Sequence, residues 1–117
     1  LSWNGSTEGA ETVTASLPIL KAAERVTVLT VDGGTVAGPD GGALRDYLGV
    51  HDIDAKHVHE TGRRSRPGEA ILDFAKREGA DLLIKSAYTH SRLRQMVFGG
   101  ATATILAEAT LPVFMAN

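Results

Sequence analysis

The sequence contains no cysteine. That excludes disulfides, thiolate metal sites and thiol nucleophiles. It also has no excess of positive charge: 12 Lys and Arg stand against 14 Asp and Glu, for a net charge of -2. A slightly acidic domain argues against nucleic acid as the main partner. No apolar run approaches the roughly 20 residues a membrane-spanning helix needs, and no stretch reads as a secretory leader. The expectation is a cytoplasmic protein. Three catalytic signatures are missing as well: the Gly-x-Ser-x-Gly elbow, the Walker A run and His-Glu-x-x-His. His90 and Ser91 are adjacent, but adjacency does not make a nucleophile and its base. No dedicated enzymatic activity is expected, and no catalytic residue is assigned.

What is present fits one domain over residues 1–117, long enough to bury a core without staples. Hydrophobic residues make up 43% and charged residues 22%, the balance of a globular rather than a disordered chain. Asn4-Gly5-Ser6 reads as a turn before a helix, with Ser6 or Thr7 as cap and Glu8 and Glu11 favouring the dipole. Ala10, Val13, Leu17 and Leu20 recur at helical spacing, and Pro18 is expected to kink or end that helix. Arg25 to Val31 is rich in β-branched residues and predicts a strand covered on both faces. Asp32 to Gly42 holds five glycines and a proline and predicts a loop. A short helix is expected over Ala43 to Val50, then an edge strand over Ile53 to Glu60, where polar residues fall on both faces. Thr61 to Gly68 is a basic turn, with Pro67 at the first turn of the next helix. Ile71, Phe74, Ala75 and Glu78 give that helix a face, and Gly79 ends it. Pro112 to Ala116 predicts a last strand. Strands alternating with helices imply right-handed crossovers and a parallel sheet.

The chain is organised around Ala80 to Ile105. Asp81-Leu82-Leu83-Ile84 is short enough for a strand buried on both faces. A polar, basic segment runs from Lys85 to Gln95, and Gly99-Gly100 precedes a helical pattern with Thr102, Ile105, Leu106 and Ala109 as its face. Strand, loop and helix N-terminus form an anion-binding corner of an α/β sheet.

Ala80-Asp81-Leu82-Leu83-Ile84, Ala87-Tyr88, His90-Ser91-Arg92-Leu93-Arg94 and Val97-Phe98-Gly99-Gly100 resemble the closing section of a universal stress protein domain. The stretch is similar in particular to the second domain of tandem members. The resemblance implies a flavodoxin-like, doubly wound, five-stranded parallel sheet in the order 3-2-1-4-5. Its ligand crevice would lie at the carboxyl ends of the strands, beside Asn4, Val31-Asp32 and the loop from Ser86 to Ala101. The family's opening strand leads into the Asn4 turn. Only Leu1 to Trp3 of it is present here, so residues upstream and a gap in the sheet are expected.

Nucleotide-binding members carry Gly-x-x-Gly, nine residues, then Gly and a small hydroxyl residue. Those positions here are Ser86, Thr89, Gly99 and Gly100. Glycine serves a phosphate cradle because a backbone N–H must approach oxygen with no Cβ in the way. Ser86 and Thr89 are expected to narrow the cradle. Gly99, Gly100, Arg92 and Arg94 keep an anion site open. Asn4 stands where the family usually has Asp and, with the end of strand two at Val31, would face adenine or ribose. Alternatively Asn4 makes only a local turn bond. Three readings follow. One is a nucleotide-poor module acting by dimerisation and partner binding. Another is an ATP or ADP sensor with slow or no hydrolysis, taking Mg²⁺ only with ATP. A third is that the chain is half of a tandem protein whose other half holds the ligand.

Three further features carry bland alternatives. His57 and His59 share a strand face, but no carboxylate stands at clear ligand spacing, and incidental edge histidines are the reading; no metal is assigned. Arg63, Arg64 and Arg66 form a solvated turn, since nothing aromatic is interleaved. The last strand, Pro112 to Ala116, is apolar with a free edge. The resemblance implies that it pairs antiparallel with its equivalent, giving a homodimer or a tandem pseudo-dimer.

Overall fold

The computed structural model describes residues 1–61, 66–87 and 100–116. In chain order these form α1 (Thr7–Ala22), β1 (Val26–Val31), α2 (Gly41–Val50), β2 (Ala55–Glu60), α3 (Pro67–Arg77), β3 (Leu83–Ser86), α4 (Ala101–Glu108) and β4 (Val113–Ala116). β1 pairs with β2 and β3 with β4, both in parallel. The architecture is the expected α/β alternation with parallel strands.

One expectation needs correction. Five strands were expected, and four are formed among the described residues. The opening segment is too short to make a ladder, but it is not idle. Ser2 bridges in parallel to Leu29 of β1 and to Lys85 of β3. The Ser2 amide donates to the Ile84 carbonyl at 2.8 Å, Trp3 donates to Leu29, and Leu29 donates back to Leu1, each at 2.8 Å. Three residues thus join the two strand pairs. Toward the amino ends of β1 and β3, where this segment stops, a cavity of about 1000 Å³ opens, lined by Leu1, Val26, Thr27, Phe74, Leu83 and Ile84 among others.

Helices cover both faces of the strands. Trp3, Val13, Leu20, Val28, Leu44 and Leu48 belong to one buried cluster, formed with α1 and α2. Leu29, Val31, Ile71, Phe74, Leu83 and Ile105 belong to the other, formed with α3 and α4. Successive residues of β1 therefore point into different cores, which explains why nearly all of it is buried. β2 pairs on one side with β1, and only Ala55 of its six residues is buried, as suits an edge strand.

Helix ends follow local chemistry. The Ser6 side chain accepts from the Gly9 amide at 2.9 Å and caps α1. The Asp40 carboxylate accepts from Ala43 at 2.8 Å, so α2 begins two residues before the expected Ala43. Gly79 takes a φ of +66°. Its amide donates to Lys76, and that of Ala80 to Ala75, closing α3 with a left-handed glycine.

Pro18 does not end α1, which runs on to Ala22. Proline forfeits the bond to the carbonyl four residues earlier. That carbonyl belongs to Thr14, and both Thr14 and Pro18 are exposed, so water replaces the missing donor. Leu106 also departs from expectation: it is 65% exposed, because α4 docks through the narrower stripe of Thr102 and Ile105. Among the described residues no helix is long and apolar enough to cross a membrane.

Candidate functional site

The carboxyl ends of the strands converge on three short stretches. They are the Asn4-Gly5-Ser6 turn after the joining segment, the Val31-Asp32 end of β1, and the Ser86-Ala87 end of β3. The first turn of α4, at Gly100 and Ala101, begins nearby in the chain's return to the sheet. Thr89, Arg92, Arg94 and Gly99, expected to line the same crevice, lie outside the described residues.

Asn4 is fixed from four directions. Its Oδ1 accepts from the Ser6 amide at 3.0 Å and from the Ser6 hydroxyl at 2.6 Å. These two donors set the orientation of the amide and leave Nδ2 pointing the other way. Nδ2 then donates to the Ser86 hydroxyl across a long 3.5 Å. The Asn4 carbonyl accepts from the Val36 amide at 2.9 Å. The local turn bond weighed from the sequence is therefore present, and a contact across the sheet accompanies it.

Ser86 is 2% exposed. Its hydroxyl faces Asn4, so the side chain that stands where the family has glycine is enclosed at the end of β3. Val31 is also buried, with its side chain in the core shared with α3 and α4. Its carbonyl accepts from the Gly34 amide at 3.1 Å in a tight turn whose third residue, Gly33, has a φ of +80°. Gly100 has a φ of +132°, and a Cβ there would meet nothing within 4 Å among the described residues.

The structure adds residues that the sequence did not single out. Gly9 lies inside α1, and a Cβ there would stand 2.9 Å from Asn4 Oδ1 and 3.1 Å from the Trp3 ring. Glycine in a helix interior weakens it; here it lets Asn4 and Trp3 lie against the helix. That misplaced glycine was the available signal. Lys85 was expected to open the polar loop. Instead it belongs to β3 and is 6% exposed. Its ammonium donates to the Ser86 carbonyl at 3.0 Å and to the Thr102 hydroxyl at 3.3 Å. The Thr102 hydroxyl donates in turn to the Ala87 carbonyl at 3.1 Å. A buried ammonium requires such acceptors, and this set ties the start of α4 to the end of β3.

The two histidines share a strand face but not a partner. His57 Nε2 lies 3.0 Å from the Thr30 hydroxyl, and His59 Nε2 lies 2.7 Å from Asp32 Oδ1. Among the described residues no group of three or more His, Cys, Asp or Glu side chains is placed to hold a metal. Of the basic run, Arg66 is within 3.4 Å of Glu69; Arg63 and Arg64 lie outside the described residues.

Thr102→Val keeps the shape of the side chain and removes its hydroxyl. It is expected to cost about 1–3 kcal/mol, because the Ala87 carbonyl loses its donor and the Lys85 ammonium loses an acceptor. Urea unfolding measures this; an unchanged midpoint would mean that water replaces the hydroxyl.

Comparison with known proteins agrees with the α/β fold. The fold aligns with that of the hypothetical protein MJ0577 at a TM-score of 0.59, covering 98% of this chain and 92% of that one at 20% sequence identity. A 45-residue stretch, 38% of the chain, is 40% identical to universal stress protein Slr1230 of Synechocystis sp. (strain ATCC 27184 / PCC 6803 / Kazusa). That match spans only 16% of the relative's length. The model of the universal stress protein family matches residues 5–117, and the chain belongs to that family.

Proposed function

We propose that this chain is a cytoplasmic stress-response module that acts by association and conformation rather than by turnover, with a narrowed nucleotide cradle. The observation that carries the reading is the enclosed Ser86 hydroxyl facing Asn4. Both residues depart from the family pattern, and the departures complement one another. The Asn4 amide gives a hydrogen to Ser86; a carboxylate at position 4 could only accept one from the hydroxyl. A glycine at position 86 would offer no side-chain partner to either. The pair uses on itself the groups that adenine, ribose or phosphate would otherwise engage.

Association is read at β4. Among the described residues this strand pairs only with β3, and Val113, Phe114 and Met115 are half-buried. An apolar strand with one open edge suits antiparallel pairing with a second copy or with a tandem domain. The sheet would then run in the order 3-2-1-4-5, counting residues 1–3 as its first strand. The activity of a longer protein containing this domain falls under the same proposal.

A second reading, an ATP or ADP sensor binding Mg²⁺ with its nucleotide, is favoured by one feature. The positive φ of Gly100, where only glycine lets the backbone turn freely, suits an anion at the start of α4. Asn4, Val31, Ser86, Thr89, Arg92, Gly99, Gly100 and Ala101 would form that site.

Calorimetric titration with ATP and Mg²⁺ separates the readings. The parent chain is expected to give no heat of binding at micromolar concentrations. The double variant Ser86→Gly/Thr89→Gly is expected to bind. Micromolar binding by the parent would overturn the narrowed cradle, and hydroxyls would then be taking the place of glycine.

A further inference from the structure

The Gly-rich connection after β1 has a definite position: it lies down on the joining segment. The Val36 amide donates to the Asn4 carbonyl at 2.9 Å. The indole of Trp3, itself 5% exposed, donates to the Pro39 carbonyl at 2.8 Å. Two glycines make the approach close. Gly5 has a φ of +81°, and a Cβ on it would stand 3.0 Å from the Val36 oxygen and 3.3 Å from the Pro39 oxygen. Gly38 has a φ of +154°, and its Cβ would meet the Gly5 oxygen at 1.9 Å. The two backbones therefore touch where a side chain on either would hold them apart.

Both ends of the connection are anchored. At its start the Asp32 carboxylate lies 2.7 Å from His59, and the Asp32 amide donates to the Glu60 carbonyl at 3.1 Å. At its end Asp40 caps α2. Between these anchors, residues 33–39 include three glycines and are mostly exposed. A glycine-rich, mostly exposed segment of this kind opens well below the free energy of global unfolding.

We propose that residues 33–39 are a strap, latched by the Trp3 indole over Asn4 and Gly5, which must lift before any ligand reaches that side of the carboxyl-end crevice. Closed, it occupies the Asn4 carbonyl and covers Gly5. Lifted, it frees both, together with the Trp3 N–H, while Asp32 and Asp40 keep their anchors. As a control on access it rests on the reading that this crevice is the functional site.

Limited thermolysin digestion reads the strap without any ligand, since Val36 offers the protease an apolar residue in the middle of the segment. Trp3→Phe keeps the ring and removes the latch donor. Gly38→Ala leaves the core untouched and places a methyl group where the Gly5 oxygen lies. Cleavage within residues 33–39 is expected to be at least tenfold faster in both variants than in the parent. A parent cut as fast as Gly38→Ala would overturn the latched strap, and that comparison holds even if Trp3→Phe fails to fold. ATP titration of Gly38→Ala in the Ser86→Gly/Thr89→Gly background then tests the control of access. Tighter binding than in that background alone supports it, and equal binding by both overturns it. If neither binds, the nucleotide reading of the crevice fails and the control of access with it, while the cleavage rates still decide the strap.

Discussion

The structure depends on the backbone of three residues. Among the described residues, Leu1, Ser2 and Trp3 are what joins β1 to β3 in the sheet, through parallel bridges from Ser2 to Leu29 and Lys85. Without that seam there are two separate strand pairs, each exposing a row of unpaired amides and carbonyls in the middle of the molecule. Buried backbone groups demand partners, so the seam is worth more than its length suggests. It also sets the crevice. Because Ser2 is paired on both sides, Asn4 leaves the sheet between the ends of β1 and β3, and its side chain reaches Ser86.

The same constraint explains why the crevice is internally satisfied. Asn4 is held by Ser6, faces Ser86 and is overlain by Val36. Gly9 clears the space beneath it. On the other face of β3, Lys85 and Thr102 fix the entry to α4. Among the described residues, the side chains of Asn4, Ser6, Lys85, Ser86 and Thr102 each have a protein partner. A ligand arriving here exchanges existing bonds rather than filling empty ones, and so gains only the difference.

Much of the fold was legible in the sequence. α3 announced itself by apolar spacing, Pro67 and Gly79, and β1 by a run of β-branched residues, because both signals are local. The failures have physical causes. Pro18 stays within α1 because its cost falls on an exposed carbonyl, and exposure is a tertiary property. Lys85 looked like the start of a loop because its burial depends on Thr102, 17 residues away. The family resemblance singled out Asn4 and Ser86 separately; that they meet could not be read from spacing. Nor could composition alone reveal that Gly38 lies on Gly5. Thr89, Arg92 and Gly99 lie outside the described residues, so that half of the expected cradle rests on the sequence.

Native-state hydrogen exchange at the seam tests the account most directly. Segments that pair over only two or three residues ordinarily open locally and exchange fast. Here the amides of Ser2, Trp3 and Leu29 are expected to exchange only through global unfolding, with the same denaturant dependence as the core of β1. Exchange of Ser2 and Trp3 through local opening, while Val28 stays protected, would contradict it. The two strand pairs would then hold together through their helices, and Asn4 would have no fixed place beside Ser86.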